Sequence, residues 1–188
     1  MNRAAGESMA PRVLVLMGVS GCGKTTVGAL LARRYGWKFQ EGDELHPQAN
    51  VDKMRSGHPL DDADRWPWLQ KVAAWIGTQL DSGSDGVITC SALKRSYRDV
   101  LNRRGAGVVF VYLAGTPETI AARLAVRRGH FMPPGLLASQ FEALEEPAPD
   151  EPFIRIDIGA PPEKVLQGIV DELGLDRRAG TENPPCAP

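Results

Sequence analysis

Eight consecutive residues, Gly18-Val19-Ser20-Gly21-Cys22-Gly23-Lys24-Thr25, have the types and spacing needed to hold a polyphosphate. They follow the pattern G-x-x-x-x-G-K-[ST]. Glycines let a backbone approach phosphate oxygens with no Cβ in the way. A loop that opens a helix also aims its N–H groups, and the positive end of the helix dipole, at one point. Lys24 is expected to reach the β and γ phosphates, and Thr25 to place its hydroxyl on Mg²⁺. Thr26 follows in the first helical turn and completes the run expected to contact ATP.

Other candidates sit where later strands should end. Asp43, after the second strand, could accept a proton from an acceptor hydroxyl, serve Mg²⁺ through water, or simply cap a helix. Asn50, Lys53 and Arg55 could reach a polar substrate or form a solvated face, and His46 reads most simply as a local hydrogen-bonding residue beside Pro47. His46 lacks a second histidine at ligand spacing, so it is no metal candidate. Arg65 either pairs with a neighbouring aspartate or faces substrate. The third strand ends in Cys90-Ser91-Ala92, where many phosphate-loop proteins carry an aspartate. Metal organisation therefore falls to Thr25, the phosphates, water and Asp43. Lys94 and Arg98, one helical turn apart, could hold an anionic acceptor or form a solvated basic face. Arg123 and Arg127 are four apart and lead into a segment bounded by Gly129 and Gly135. That arrangement predicts a lid over about 127–145, with arginines neutralising the transferring phosphoryl group.

These side chains need a scaffold, and the hydrophobic pattern supplies one. An apolar run, Val13 to Met17, feeds the loop, and the stripe Val27, Leu30, Leu31 follows, closed by Gly36. Further strands are predicted at 37–40, 86–91, 107–113 and 153–158. Helices are predicted at 46–57, from close to Pro67 to Gly83, after Thr116-Pro117-Glu118, around Leu136 to Leu144, and over Val165 to Leu173. Pro67 is tolerated only near a helix start, which sets the expected beginning of the second of these. Trp66, Trp68 and Trp75 are expected to pack. Strands alternating with helices from Arg12 to Leu175 predict an α/β fold with a parallel sheet and right-handed crossovers.

The chain has 188 residues, enough for one domain with a proper core. The expected limits are a domain at 12–175 between tails at 1–11 and 176–188. A formal net charge of -1 argues against a general nucleic-acid binder. No run is long and apolar enough to span a bilayer, and the first residues lack the apolar core of a signal peptide. The cysteines Cys22, Cys90 and Cys186 are odd in number and widely spaced, which points to a reducing cytoplasm.

Together the motifs resemble the gluconokinases of the small P-loop type. The resemblance rests on Met17 to Gly28, Gly42-Asp43, His46-Pro47, Lys53-Met54, Asp64-Arg65 and Pro67-Trp68-Leu69. It continues through Cys90-Ser91-Ala92-Leu93-Lys94, Tyr97-Arg98-Asp99, Gly129-His130-Phe131-Met132 and Gln140-Phe141-Glu142. It implies a three-layer P-loop NTPase fold, shikimate-kinase-like, with strand order 2-3-1-4-5 and a helical lid. It implies Mg²⁺-dependent transfer of the ATP γ-phosphoryl group to the 6-hydroxyl of D-gluconate, often by a homodimer. Lys24, Asp43 and Arg127 are then the catalytic candidates, and Arg123 joins the loop residues at ATP. His46, Lys53, Arg65, Lys94, Arg98, His130 and Gln140 join Asp43 around the acceptor. Cys22 departs from the usual serine, and a thiol at a helix N-terminus invites oxidation or alkylation. The rival readings are a related small-molecule kinase, such as a shikimate or adenylylsulfate kinase, and a nucleotide-binding module without acceptor chemistry.

Overall fold

A computed structural model describes residues 12–126 and 134–176. Strand β1 (Val13–Met17) is buried along its whole length. It runs between β3 (Gly86–Thr89) and β4 (Val108–Ala114), both parallel to it. The short β2 (Lys38–Gln40) and β5 (Phe153–Asp157) form the edges, so the order is β2-β3-β1-β4-β5, all parallel. Such a sheet is covered on both faces, which is why β1 is apolar at every position. Val13, Val15 and Met17 pack with Trp68, Leu69, Val72 and Ile76 of α3 (Asp62–Asp81) and with Tyr97 and Leu101 of α4 (Arg95–Leu101). Leu14 and Leu16 pack with Val27 and Leu31 of α1 (Lys24–Tyr35) and with Val165 and Ile169 of α7 (Pro162–Leu173). Helices on both faces of the sheet make three layers, and the loops at the strands' carboxyl ends converge on one side.

Several boundaries differ from the sequence pattern, and four of them have a clear local reason. Trp37 stays outside β2 because its N–H closes the end of α1, donating to the Ala32 carbonyl at 3.0 Å. The expected helix 46–57 is a 3-10 turn (Gly42–Leu45) followed by α2 (Gln48–Arg55). His46 is extended because the ring of Pro47 disfavours a helical residue before it. Helix α3 begins at Asp62, a full turn before Pro67. Asp61 accepts from the N–H of Asp64 and Asp64 accepts from the N–H of Asp61, both at 2.9 Å. This reciprocal cap holds the first turn although Pro67 cannot donate to the Ala63 carbonyl. Asp176, placed by sequence in a loose tail, accepts from Tyr35 at 2.6 Å and Arg34 at 2.7 Å, which ties the residues just after α7 to α1.

The remaining elements are α2, α5 (Pro117–Val126) and α6 (Pro134–Ala143). Arg127, His130 and the tails at 1–11 and 177–188 lie outside the described residues, as does the first part of the expected lid. Of the tryptophans, Trp68 is in the core, Trp75 lies against Gly86, and Trp66 stands edge-on to Tyr97 at the surface.

Gly42 joins the sheet to the site. Its N–H donates to the Thr89 hydroxyl at 3.0 Å, and its carbonyl accepts from the Trp68 indole at 2.7 Å. A Cβ at this position would collide with the carbonyl oxygen of Thr89. Gly42→Ala should therefore lose about 1–3 kcal/mol through backbone displacement, as overpacked interiors do. Urea denaturation checks this: the midpoint falls if the contact is as tight as described and stays put if the turn can move aside.

Candidate active site at the carboxyl ends of β1, β2 and β3

The loop from Gly18 to Thr25 turns three times through conformations that favour glycine: φ is 132° at Gly18, 86° at Gly21 and 100° at Gly23. Lys24 folds back over it, with Nζ donating to the carbonyls of Gly18 at 2.9 Å and Val19 at 3.0 Å. The loop borders a cavity of about 770 Å³. Residues 20–27 line it, together with Glu41 and Asp43 and with Arg123, Leu124, Pro162 and Val165. The Ser91 carbonyl accepts from the Gly18 N–H at 3.2 Å and ties the start of the loop to the segment after β3. Arg123 reaches across from α5 to the carbonyls of Ile158, Ala160 and Cys22. Its guanidinium thus bridges the loop and the segment after β5. The Cys22 side chain points inward, only 1 % exposed. A thiol so enclosed is no ready target for oxidants or alkylating reagents, contrary to the expectation from its place beside a helix N-terminus.

Glu41 is the residue that sequence reasoning missed. Thr89, the last residue of β3, donates its hydroxyl to Glu41 Oε1. Glu41 Oε2 is buried and has no partner among the described residues. A buried carboxylate oxygen left open is costly unless a cation or donor completes it. Glu41 and Thr25 line the same cavity, and hard oxygen ligands of this kind suit Mg²⁺. β3 lacks a terminal aspartate, and its threonine instead secures a carboxylate delivered by the neighbouring strand. The signal was present in Glu41-Gly42-Asp43, two acids on either side of a glycine.

Asp43 is exposed at the edge of the cavity. Its field is felt by the buried Cys90 and the half-buried His46. Burial pushes the Cys90 thiol up to about 12, with Asp43 adding to the rise and Lys24 and Arg65 opposing it. Burial also lowers the His46 imidazole, with Asp43 opposing and Arg65 and Lys71 assisting. Asp43 and Arg65 therefore act on both groups.

A second cavity, about 560 Å³, opens between the starts of α3 and α4 and the face of α6. Arg65 and Lys94 line it beside Tyr97. Arg65 Nε donates to the Leu60 carbonyl at 3.2 Å, and its guanidinium lies 5.8 Å from the Tyr97 ring centroid. Its terminal nitrogens have no hydrogen-bond partner among the described residues. Lys94 pairs with Asp62 at 2.8 Å. The other two cations expected at the acceptor are engaged elsewhere. Lys53 is bound at 2.5 Å by Asp64, a member of the α3 cap.

Arg98 is interior, 1 % exposed, and does not face a substrate. Lys94 precedes α4 and does not share a helical face with it, so Arg98 turns into the core. There it meets Glu151 at 2.5 and 2.9 Å and the carbonyls of Ala92, Leu93 and Glu145 at 2.9–3.3 Å. Gln140 also departs from expectation: its Oε1 accepts from the Ser20 N–H at 2.7 Å, so it fastens α6 to the phosphate loop. Ser139, its neighbour, lines the second cavity. One turn of α6 therefore touches both the phosphate loop and the second cavity.

A doubly covered parallel sheet with a glycine phosphate loop after β1, and a second cavity into which Arg65 and Lys94 bring positive charge, defines a P-loop kinase acting on a small molecule. The shikimate kinase family model matches residues 20–136. The chain belongs to the gluconokinase family: it is 52% identical over 160 residues to a gluconokinase of Gluconobacter oxydans (strain 621H), covering 85% of this chain and 90% of that one. A gluconokinase structure from Sinorhizobium meliloti 1021 is 41% identical with a TM-score of 0.79, covering 93% of this chain and 99% of its own. An unliganded sugar kinase from Janibacter sp. HTCC2649 is 45% identical with a TM-score of 0.81, over 87% and 95% of the two chains.

The Arg98–Glu151 pair gives a pH-dependent prediction. Burial alone would raise Glu151, but the Arg98 guanidinium and the Ala148 N–H outweigh it and hold the carboxyl below its ordinary value. An acid depressed in the fold contributes stability above its unfolded pKa and loses it as pH falls through the folded value. Glu151→Gln leaves a buried guanidinium without its counter-charge and should cost about 3–5 kcal/mol at pH 7. That gap should narrow below about pH 4.3, where the unfolded-state glutamate protonates. Denaturant titrations of both proteins from pH 7 to 3 check it, and a constant gap would contradict the assignment.

Proposed function

We propose that this chain transfers the γ-phosphoryl group of ATP to the 6-hydroxyl of D-gluconate, giving 6-phospho-D-gluconate and ADP. The observation that carries the reading is the pair of cavities, one built on a phosphate loop and the other lined by Arg65 and Lys94, with Asp43 at the edge of the first. Gluconate has a carboxylate at one end and a primary alcohol at the other. Arg65 and Lys94 have the charge to hold the carboxylate. Asp43 orients the 6-hydroxyl and accepts its proton. Lys24 leaves the carbonyls of Gly18 and Val19 to meet the β and γ phosphates. Arg123 lies where the base and the loop meet, and Arg127, by family resemblance, adds positive charge during transfer. The Thr25 hydroxyl and the Glu41 carboxylate are the groups that would hold Mg²⁺. That ion supplies neutralisation of charge on the phosphate oxygens. The reading includes a homodimer and a cytoplasmic setting. No helix among the described residues is long and apolar enough to cross a membrane.

The defining assay is ADP release with Mg-ATP and a panel of gluconate, shikimate, glucose and glycerate, with product mass. Release with gluconate alone, at the mass of a phosphogluconate, supports the reading, and release with another acceptor moves the specificity. Asp43→Asn should lower kcat at least about 100-fold while ATP still binds. Turnover near that of the wild type would remove Asp43 from the chemistry. Glu41→Gln should raise the Mg²⁺ concentration needed for half-maximal rate at least about tenfold, the scale of losing one charged metal partner. An unchanged Mg²⁺ titration would return Glu41 to a purely structural role.

A further inference from the structure

Asn50 lies on α2 with 5% of its surface exposed, and it determines the state of its neighbour. Its Nδ2 donates to the backbone carbonyl of Asp64 at 2.7 Å. A carbonyl oxygen only accepts, so the atom facing Asp64 is the amide nitrogen, and the orientation of the amide is set. The same nitrogen lies 3.3 Å from Nδ1 of His46. An amide nitrogen has no lone pair to offer, so Nδ1 is the acceptor. The ring is therefore the neutral tautomer with its proton on Nε2.

The rest of the surroundings hold that ring still. His46 stacks on Trp68 with centroids 4.2 Å apart and planes 16° from parallel. Trp68 is anchored in turn by its bond to the Gly42 carbonyl. The charged groups facing the imidazole are Asp43 from the 3-10 turn and Arg65 and Lys71 from α3. One polar atom of the ring remains, Nε2, which has no hydrogen-bond partner among the described residues. The His46 backbone N–H donates to the Asp43 carbonyl at 3.3 Å, so the two residues move as one turn.

We propose that Asn50 is a positioning residue that presents His46 as a fixed, neutral Nε2–H donor to a hydroxyl oxygen of the polyol acceptor, beside the hydroxyl taken by Asp43. This rests on the functional reading above and adds to it a contact with the body of the polyol. A neutral donor suits an alcohol oxygen, and the acceptor's carboxylate is left to Arg65 and Lys94. An acceptor lacking the hydroxyl would leave a half-buried donor unmatched, which is how a site built around a hydroxyl rejects its deoxy analogue.

Two measurements on the full chain test this. Nitrogen-15 NMR of the histidine rings at pH 7.5, with His46 assigned by its absence in His46→Gln, should show Nδ1 unprotonated and Nε2 protonated. An Nδ1–H ring, or a doubly protonated one, overturns the proposal without reference to any substrate. In steady-state kinetics Asn50→Ala should raise the acceptor KM about tenfold, the value of one aligned hydrogen bond, while the KM for ATP holds. His46→Gln, which keeps an N–H donor, should retain more acceptor affinity than His46→Leu. In the His46→Leu background Asn50→Ala should add little. Equal rises in both KM values, or full additivity, would reduce Asn50 to a structural role and overturn the proposal. If the wild type phosphorylates a different polyol, the gluconate reading falls and the same KM comparison is made with that acceptor.

Discussion

The site depends on how closely β2 and β3 approach where they end. Gly42 sits against the Thr89 carbonyl with no room for a side chain, and its own N–H and carbonyl are taken by Thr89 and Trp68. That contact fixes a short stretch of chain. Glu41, Asp43 and His46 all hang from it, each with a different neighbour. Thr89 turns Glu41 inward, the cavity edge receives Asp43, and Trp68 supports the His46 ring. A backbone held at both its donor and its acceptor has little freedom to let these groups drift, and active-site chemistry tolerates little drift.

The phosphate loop was legible because its meaning is local. Spacing, the apolar strand before it and the helical stripe after it all lie within a few residues, and the structure arranges them as that pattern implies. The strand order also follows the family pattern, and Asp43 lies at the cavity. What was not legible depends on distant partners. Arg98 looked like a surface cation because its counter-charge, Glu151, is 53 positions away. Glu41 drew no role from the sequence because Thr89, which binds it, is 48 positions on. The start of α3 was misplaced for a different reason. A general rule about proline was applied where two aspartates form a reciprocal cap strong enough to carry the helix past it.

Two devices hold the helix beyond α5 in relation to the sheet. At its far end, Arg98 gathers the turn after β3, the Glu145 carbonyl and the Glu151 carboxylate into one buried cluster. Nearer the loop, Gln140 reaches Ser20. The first is charged, enclosed and hard to separate. The second is a single neutral bond at a partly buried position, and it is the easier one to exchange.

That difference bears on what a measured nucleotide affinity would mean. The Ser20 N–H already has an internal ligand, so phosphate entering near it competes with an amide oxygen as well as with water. The observed binding constant is then a ratio of two occupancies of one donor, and it understates the intrinsic attraction of the loop for phosphate. It also gives the resting protein a filled donor in place of a bare one, so the loop keeps its shape between turnovers without borrowing an anion from solution.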